Sequence, residues 1–271
     1  MDIRIAAPIR MGRFRNVLAL MLFAGLPALA GAAECTAESG SQRTALLELY
    51  TSEGCDSCPP ADRWASGLAS RGFTTDRLVV LAFHVDYWNY LGWRDPYSRP
   101  EYSDRQRTAS ARNRARVVYT PQFLLNGKDY RRATFVDDLD ERVKAIGRQP
   151  AQARIRLRLD AANEDALHVT GKAWVAEAHL RAEAHVYLAL HENNLSNQVT
   201  AGENRGKRLR HDFVVRQLAG PFAPGAGGEA SFGQRFPLQP AWKTHDLHVA
   251  AFVQNGSTGD VLQSLTLAPC R

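Results

Sequence analysis

The chain has 271 residues, 45% of them hydrophobic and 23% charged. That is globular composition, long enough for two ordinary domains, and it excludes an intrinsically disordered chain. Its formal net charge is +6, but Arg4, Arg10, Arg13 and Arg15 cluster at the N-terminus against Asp2 alone, and the remainder carries 30 basic and 27 acidic residues, too even a balance to indicate a nucleic-acid partner.

The stretch after those arginines, NVLALMLFAGLPALAGAA, is apolar, short and closed by small residues. This is the layout of a secretory signal peptide over residues 1–33, cut near Ala30 to Ala33. Its apolar part is too short and too rich in Ala, Gly and Pro for a lasting span, so no stable membrane anchor is expected after cleavage; an uncleaved anchor is the alternative. Glu34 stands where a lipoprotein signal before Cys35 would need a small residue. The mature chain is therefore expected in the periplasm or outside the cell, where disulfides persist, with all four cysteines retained: Cys35, Cys55, Cys58 and Cys270.

TALLELYTS, Thr44 to Ser52, reads as a buried strand, and PPADRWASGLAS as a helix that tolerates Pro59 and Pro60 in its first turn. Leu78 to Val85 is the continuous apolar run of a parallel strand buried on both faces. Strand, helix and strand make a right-handed crossover. After an aromatic, charged insertion whose latter half is helical, QFLLNG forms a strand paired to KDYRRA through Asn126-Gly127, a strong hairpin signal. TFVDDLDERVKAIGRQ closes this section as an amphipathic helix capped by Thr134. Beyond residue 150 the texture changes. Seven short alternating runs, ARIRLRL the strictest, point to an antiparallel sandwich over 151–271 after an α/β domain over 34–150.

Cys55 and Cys58 follow a strand and open a helix. The partial positive charge at a helix N-terminus stabilises a thiolate, so Cys55 suits attack, and Cys58, a turn deeper and shielded, suits resolution of a mixed disulfide. Asp56 opposes thiolate formation and points to a reducing or isomerising poise. Thr120-Pro121 precedes a strand, where proline is tolerated. This order of elements resembles the thioredoxin fold from Thr44 to about Gln149, and the resemblance implies that Pro121 faces the CxxC and holds a substrate chain. LYTSEGCDSCPPAD, HVDYWNYLGWRDPYS, YTPQFLLNG and GENRGKRLRHDFVVRQL together resemble a secreted, thioredoxin-like bacterial family catalogued as domain of unknown function 1223, which brings no established substrate.

Glu48, among apolar neighbours on the strand before Cys55, would have a raised pKa if half-buried and would exchange protons with Cys58; a solvated strand-edge glutamate is the alternative. Cys35 and Cys270 flank the mature chain and suit a structural disulfide. Two thiolates with His84 or Asp86 would make a copper or zinc clip, but no second CxxC, HxxxH or nearby Met supports one. Tyr87, Trp88, Tyr90, Trp93, Tyr97 and Tyr102 either hood the site or pack the insertion's own core, and GENRGKRLRHD reads as a solvated basic hairpin, with an anion-binding or domain-contact loop the alternative. The expected activity is thiol–disulfide exchange on protein thiols and disulfides, without a cofactor and with a redox-recycling partner. A copper chaperone and a non-catalytic binding protein are the alternatives.

Overall fold

The computed structural model describes residues 35–131, 137–160 and 165–269. The expected signal peptide, the Thr134 cap and Cys270 lie outside them. In chain order the elements are β1 (Cys35–Glu38), β2 (Ala45–Thr51), α1 (Pro59–Ser66), β3 (Leu78–His84), α2 (Pro100–Arg112), β4 (Gln122–Leu125), β5 (Lys128–Asp129) and α3 (Leu139–Gly147). There follow β6 (Ala153–Leu159), β7 (Ala166–Val175), α4 (Ala178–Arg181), β8 (Ala184–Glu192), β9 (Leu195–Gln198) and β10 (Arg208–His211). The last strands are β11 (Val214–Phe222), β12 (Glu229–Pro237), β13 (Leu247–Asn255) and β14 (Val261–Leu267). No helix among the described residues is long and apolar enough to cross a membrane.

Local expectations were met where sequence period decides structure. β2 and β3 are buried at every residue and pair in parallel. In β6, ARIRLRL alternates buried and exposed without a break. At the β4–β5 hairpin both Asn126 (φ 49°) and Gly127 (φ 78°) take the left-handed conformation that this turn demands.

The expected division into a thioredoxin-like α/β domain and a separate antiparallel sandwich is overturned. One mixed sheet runs β14-β13-β8-β11-β3-β2-β4-β5, crossing the boundary placed near residue 150. Its seam is short: β11 joins β3 in parallel with Val214 opposite Ala82, and Ala82 N–H donates to the Phe213 carbonyl at 2.8 Å. A second sheet, β1-β6-β7-β12, takes its edge strand β1 from the N-terminal side. Alternation reveals which face of a strand is wet but not which sheet it joins, because edge pairing is settled by packing between distant segments.

One face of the large sheet is covered twice. Over β2, β3 and β4 lie α1 and α3, with Leu47, Leu49, Ala61, Ala65, Leu139 and Val143 in one core. Over β8 and β13 lies the four-stranded sheet, with Ile155, Leu157, Val169, Val186 and Val249 in another. The opposite face carries α2 and the aromatic insertion on Leu46, Tyr50, Phe83, Tyr102 and Phe252. Each fully buried large side chain contributes about 1.5–3 kcal/mol. β9 and β10 pair only with each other, forming a ribbon outside both sheets that packs on α1.

Candidate functional site: a disulfide beneath a ribbon

Cys55 and Cys58 are disulfide-bonded at the start of α1, their Cα atoms 5.4 Å apart. Cys58 is the N-cap, and Pro59 and Pro60 fill the first turn, where a missing N–H costs nothing. The approach is tight: a Cβ on Gly54 would lie 2.9 Å from Trp88 Cβ and 3.2 Å from the Trp88 carbonyl oxygen, so only glycine fits. Cys55 is as deeply buried as Cys58, both at 0% exposure, although only Cys58 was expected to be shielded.

The ribbon is bonded to the loop that carries the disulfide. GENRGKRLRHD was read as a solvated hairpin, but its Asn204 is fully buried. Asn204 Nδ2 donates to the carbonyls of Glu53 (2.9 Å) and Cys55 (2.8 Å), and Glu203 accepts from Asp56 N–H at 3.1 Å. Asn197 Nδ2 and His211 Nε2 both reach Glu53 Oε1 at 3.0 Å, so one carboxylate holds both strands of the ribbon. Trp93 Nε1 donates to the other oxygen of Glu53 at 2.9 Å.

Beneath the disulfide lies a cluster of buried ionisable groups. Asp95 Oδ2 sits 2.7 Å from His84 Nδ1 and accepts from Glu53 N–H at 2.8 Å. Burial pulls the His84 imidazole down, but Asp95, with Asp62 and Glu53, outweighs it and leaves the group above the ordinary histidine range. Burial pushes Asp95 up, yet His84 and two backbone N–H donors hold it below the usual carboxylate range. The His84 and His211 rings meet edge-on at 4.9 Å. His211 Nδ1 faces Asp62 Oδ2 at 3.6 Å, and burial raises the Asp62 pKa. Among the described residues His84 Nε2 has no hydrogen-bond partner, and His211 Nδ1 and Asp62 Oδ2 face each other beyond hydrogen-bond distance.

Thr120 and Pro121 share a groove with Ser57, which stands between the two cysteines. Thr120 accepts from Trp88 Nε1 at 2.8 Å, and the Thr120–Pro121 peptide is cis. Ser57, Pro60, Val117, Thr120, Pro121 and Phe123 contribute to the walls of an apolar groove of about 600 Å³. Val117, at 63% exposure, lies on its rim. Glu48 is elsewhere: alternation along β2 turns it to the face shared by Leu46 and Tyr50, away from α1. There it is fully buried against Arg105 Nη2 at 2.6 Å and accepts from Tyr50 Oη at 2.7 Å. Cys35 is buried at the start of β1. Asp86 accepts from Ser103, and no three His, Cys, Asp or Glu side chains among the described residues are grouped to hold a metal ion.

The insertion's aromatics divide between the site and the sheet. Trp88 and Trp93 bond to the site, Tyr97 packs on His84 and His211, Tyr102 packs on Phe83, and Tyr90 stands 79% exposed. Glu53, Asp62, Asp95, Asn204 and His211 were not singled out from sequence. A signal existed: they all lie within the stretches that carried the family resemblance, and the fold brings those stretches together.

Protein AGR_C_4864 from Agrobacterium tumefaciens is structurally similar, with a TM-score of 0.61 at 24% identity over 86% of this chain and 97% of that one. HBP35 of Porphyromonas gingivalis gives a TM-score of 0.63 at 18% identity over 85% and 76%. At these identities the likeness concerns the fold alone. No curated protein matches the chain. Residues 46–254, which include the disulfide, the buried ionic cluster and the ribbon, match the family described as protein of unknown function (DUF1223), and the chain belongs to that family.

Proposed function

We propose that this is an exported thiol–disulfide exchange protein acting on protein thiols and disulfides, with Cys55 attacking and Cys58 resolving. In the reducing direction the Cys55 thiolate attacks a substrate disulfide, forming a mixed disulfide and expelling one substrate thiolate. Cys58 then loses its proton and attacks the Cys55 sulfur, expelling the second substrate thiolate. Two electrons pass to the substrate, the pair is left oxidised, and a separate redox partner resets it. The carrying observation is the disulfide at the head of α1 beside an apolar groove walled by Ser57 and Pro60 on one side and Thr120–Pro121 on the other. That groove offers a substrate chain a bed against Ser57, a residue between the two cysteines, and the helix terminus favours the thiolate. The order strand, CxxC, helix, parallel strand, then Thr120–Pro121 and a hairpin supports kinship of this site with thioredoxin-like exchange proteins. Asp56 and Glu203 put negative charge beside Cys55 and favour a reducing or isomerising poise. The signal-like N-terminus supports a periplasmic or secreted location, where such a pair would meet oxidised substrates.

The complete burial of both cysteines favours a second reading, a non-catalytic binding protein in which the pair is a fixed staple. Titration of the Cys55–Cys58 pair against glutathione, read by mass spectrometry, separates the two. A potential between about −120 and −270 mV is the range of exchange enzymes, and one below about −300 mV is that of structural disulfides. Under exchange, Cys58→Ser accumulates mixed disulfides with partner proteins and Cys55→Ser does not.

A further inference from the structure

Thiol–disulfide exchange requires a thiolate to reach a sulfur, and here both cysteines have no exposed surface. The ribbon tip, residues 199–207, is bonded to the backbone of the loop that carries them. We infer that the β9–β10 ribbon is a gate, closed over the disulfide in this structure, whose lifting controls access to Cys55 and Cys58. This deepens the exchange reading by naming how that site is regulated, and it rests on that reading for its purpose.

Three features suit the ribbon to movement. It belongs to neither large sheet, so lifting it breaks no ladder except through its junctions with β8 and β11. Its hold on the CxxC loop is polar: Asn204 on two carbonyls, Glu203 on the Asp56 N–H, and Asn197 and His211 on Glu53. Water replaces such partners at modest net cost, and the apolar side chains the ribbon itself buries are few. The tip is bounded by Gly202 (φ 70°) and Gly206 (φ 84°), left-handed positions that glycine adopts without strain. Val199 and Leu209 are buried on the ribbon and return it to the closed position. The gate keeps small thiols from the disulfide until a partner, or a spontaneous opening, moves Asn204 off the Cys55 carbonyl.

The test is the second-order rate of disulfide reduction by dithiothreitol, followed by alkylation and mass spectrometry on the full chain. The oxidised peptide of residues 51–60 gives the ungated rate. The wild type is expected to react at least about 100-fold more slowly than the peptide, the order of suppression a few cooperating hydrogen bonds supply. Asn204→Ala is expected to accelerate reduction roughly 30-fold, the factor two ordinary hydrogen bonds represent, and Glu203→Ala roughly fivefold. Glu203 is exposed, so its variant keeps the test alive if Asn204→Ala fails to fold. A wild type as fast as the peptide, or variants that react at the wild-type rate, overturns the gate. Acceleration combined with a potential in the structural-disulfide range keeps the gate and removes exchange; unaltered rates with a potential in the exchange range do the reverse.

Discussion

The large sheet buries charge on both faces, and it handles the two differently. On the α2 face, Arg105 is bidentate on Glu48, bonds Gln254 at 3.1 Å and lies over the rings of Phe83, Tyr187 and Phe252 at 5.0–5.5 Å. Tyr50 completes the Glu48 carboxylate, so this network is saturated. On the α1 face, Glu53, Asp62, His84, Asp95 and His211 share a buried volume in which three acids meet two histidines, the His211–Asp62 contact is loose at 3.6 Å, and His84 Nε2 has no hydrogen-bond partner among the described residues. A saturated network specifies a core, whereas unsatisfied buried groups cost stability and tend to be kept where chemistry or movement needs them. The contrast teaches that one face of the sheet uses buried charge to specify its core, while the other gathers it beside the loop that carries the disulfide.

Variants can break that comparison, beginning with the largest effect. Arg105→Met strands the Glu48 carboxylate in the core and should cost about 3–5 kcal/mol in urea unfolding. If the α2-face network is purely structural, the dithiothreitol reduction rate should not move. Gly54→Ala forces a methyl group against Trp88 and should cost about 1–3 kcal/mol, measured the same way.

The His84–Asp95 pair gives a pH signature. The raised His84 contributes stability that is complete below its ordinary value near about 6.5 and is lost as pH rises through the raised folded value. The lowered Asp95 contributes stability that is complete above about 3.9 and is lost as pH falls through its lower folded value. The melting-temperature gap between wild type and Asp95→Asn should therefore be widest between those two pH values and narrow at both ends. A gap independent of pH would mean the pair is not charged. The smallest effect belongs to the solvated Lys172–Glu229 pair at 2.7 Å on the four-stranded sheet, where Lys172→Ala should cost less than about 1 kcal/mol in thermal unfolding.

How much of this was legible depended on range. Period-two alternation exposed β6, and the unbroken apolar runs exposed β2 and β3, because burial of neighbouring side chains leaves its mark within a few residues. Asn126-Gly127 announced its hairpin for the same local reason. The CxxC and Thr120-Pro121 were visible as motifs. The shared sheet was not, since β11 meets β3 across more than a hundred residues through one short parallel seam. Glu48 looked like the acid nearest the chemistry by spacing along the chain, but alternation on β2 turned it to the other face. Asp62, which follows Cys58 by one helical turn, was overlooked as an ordinary first-turn acid. Asn204 and His211 sat in a basic, glycine-rich hairpin whose composition suggests solvent. Their burial comes from contact with a loop about 150 residues earlier, which no local pattern encodes.

That distance also orders events in time. Cys55 and Cys58 are separated by only three positions, so the sulfurs meet by local chain motion. The Asn204 bond to the Cys55 carbonyl spans 149 positions, so its closure carries the larger entropic cost. Chain entropy therefore favours sulfurs that meet before the cap closes, and a dithiol open to oxidant in that interval.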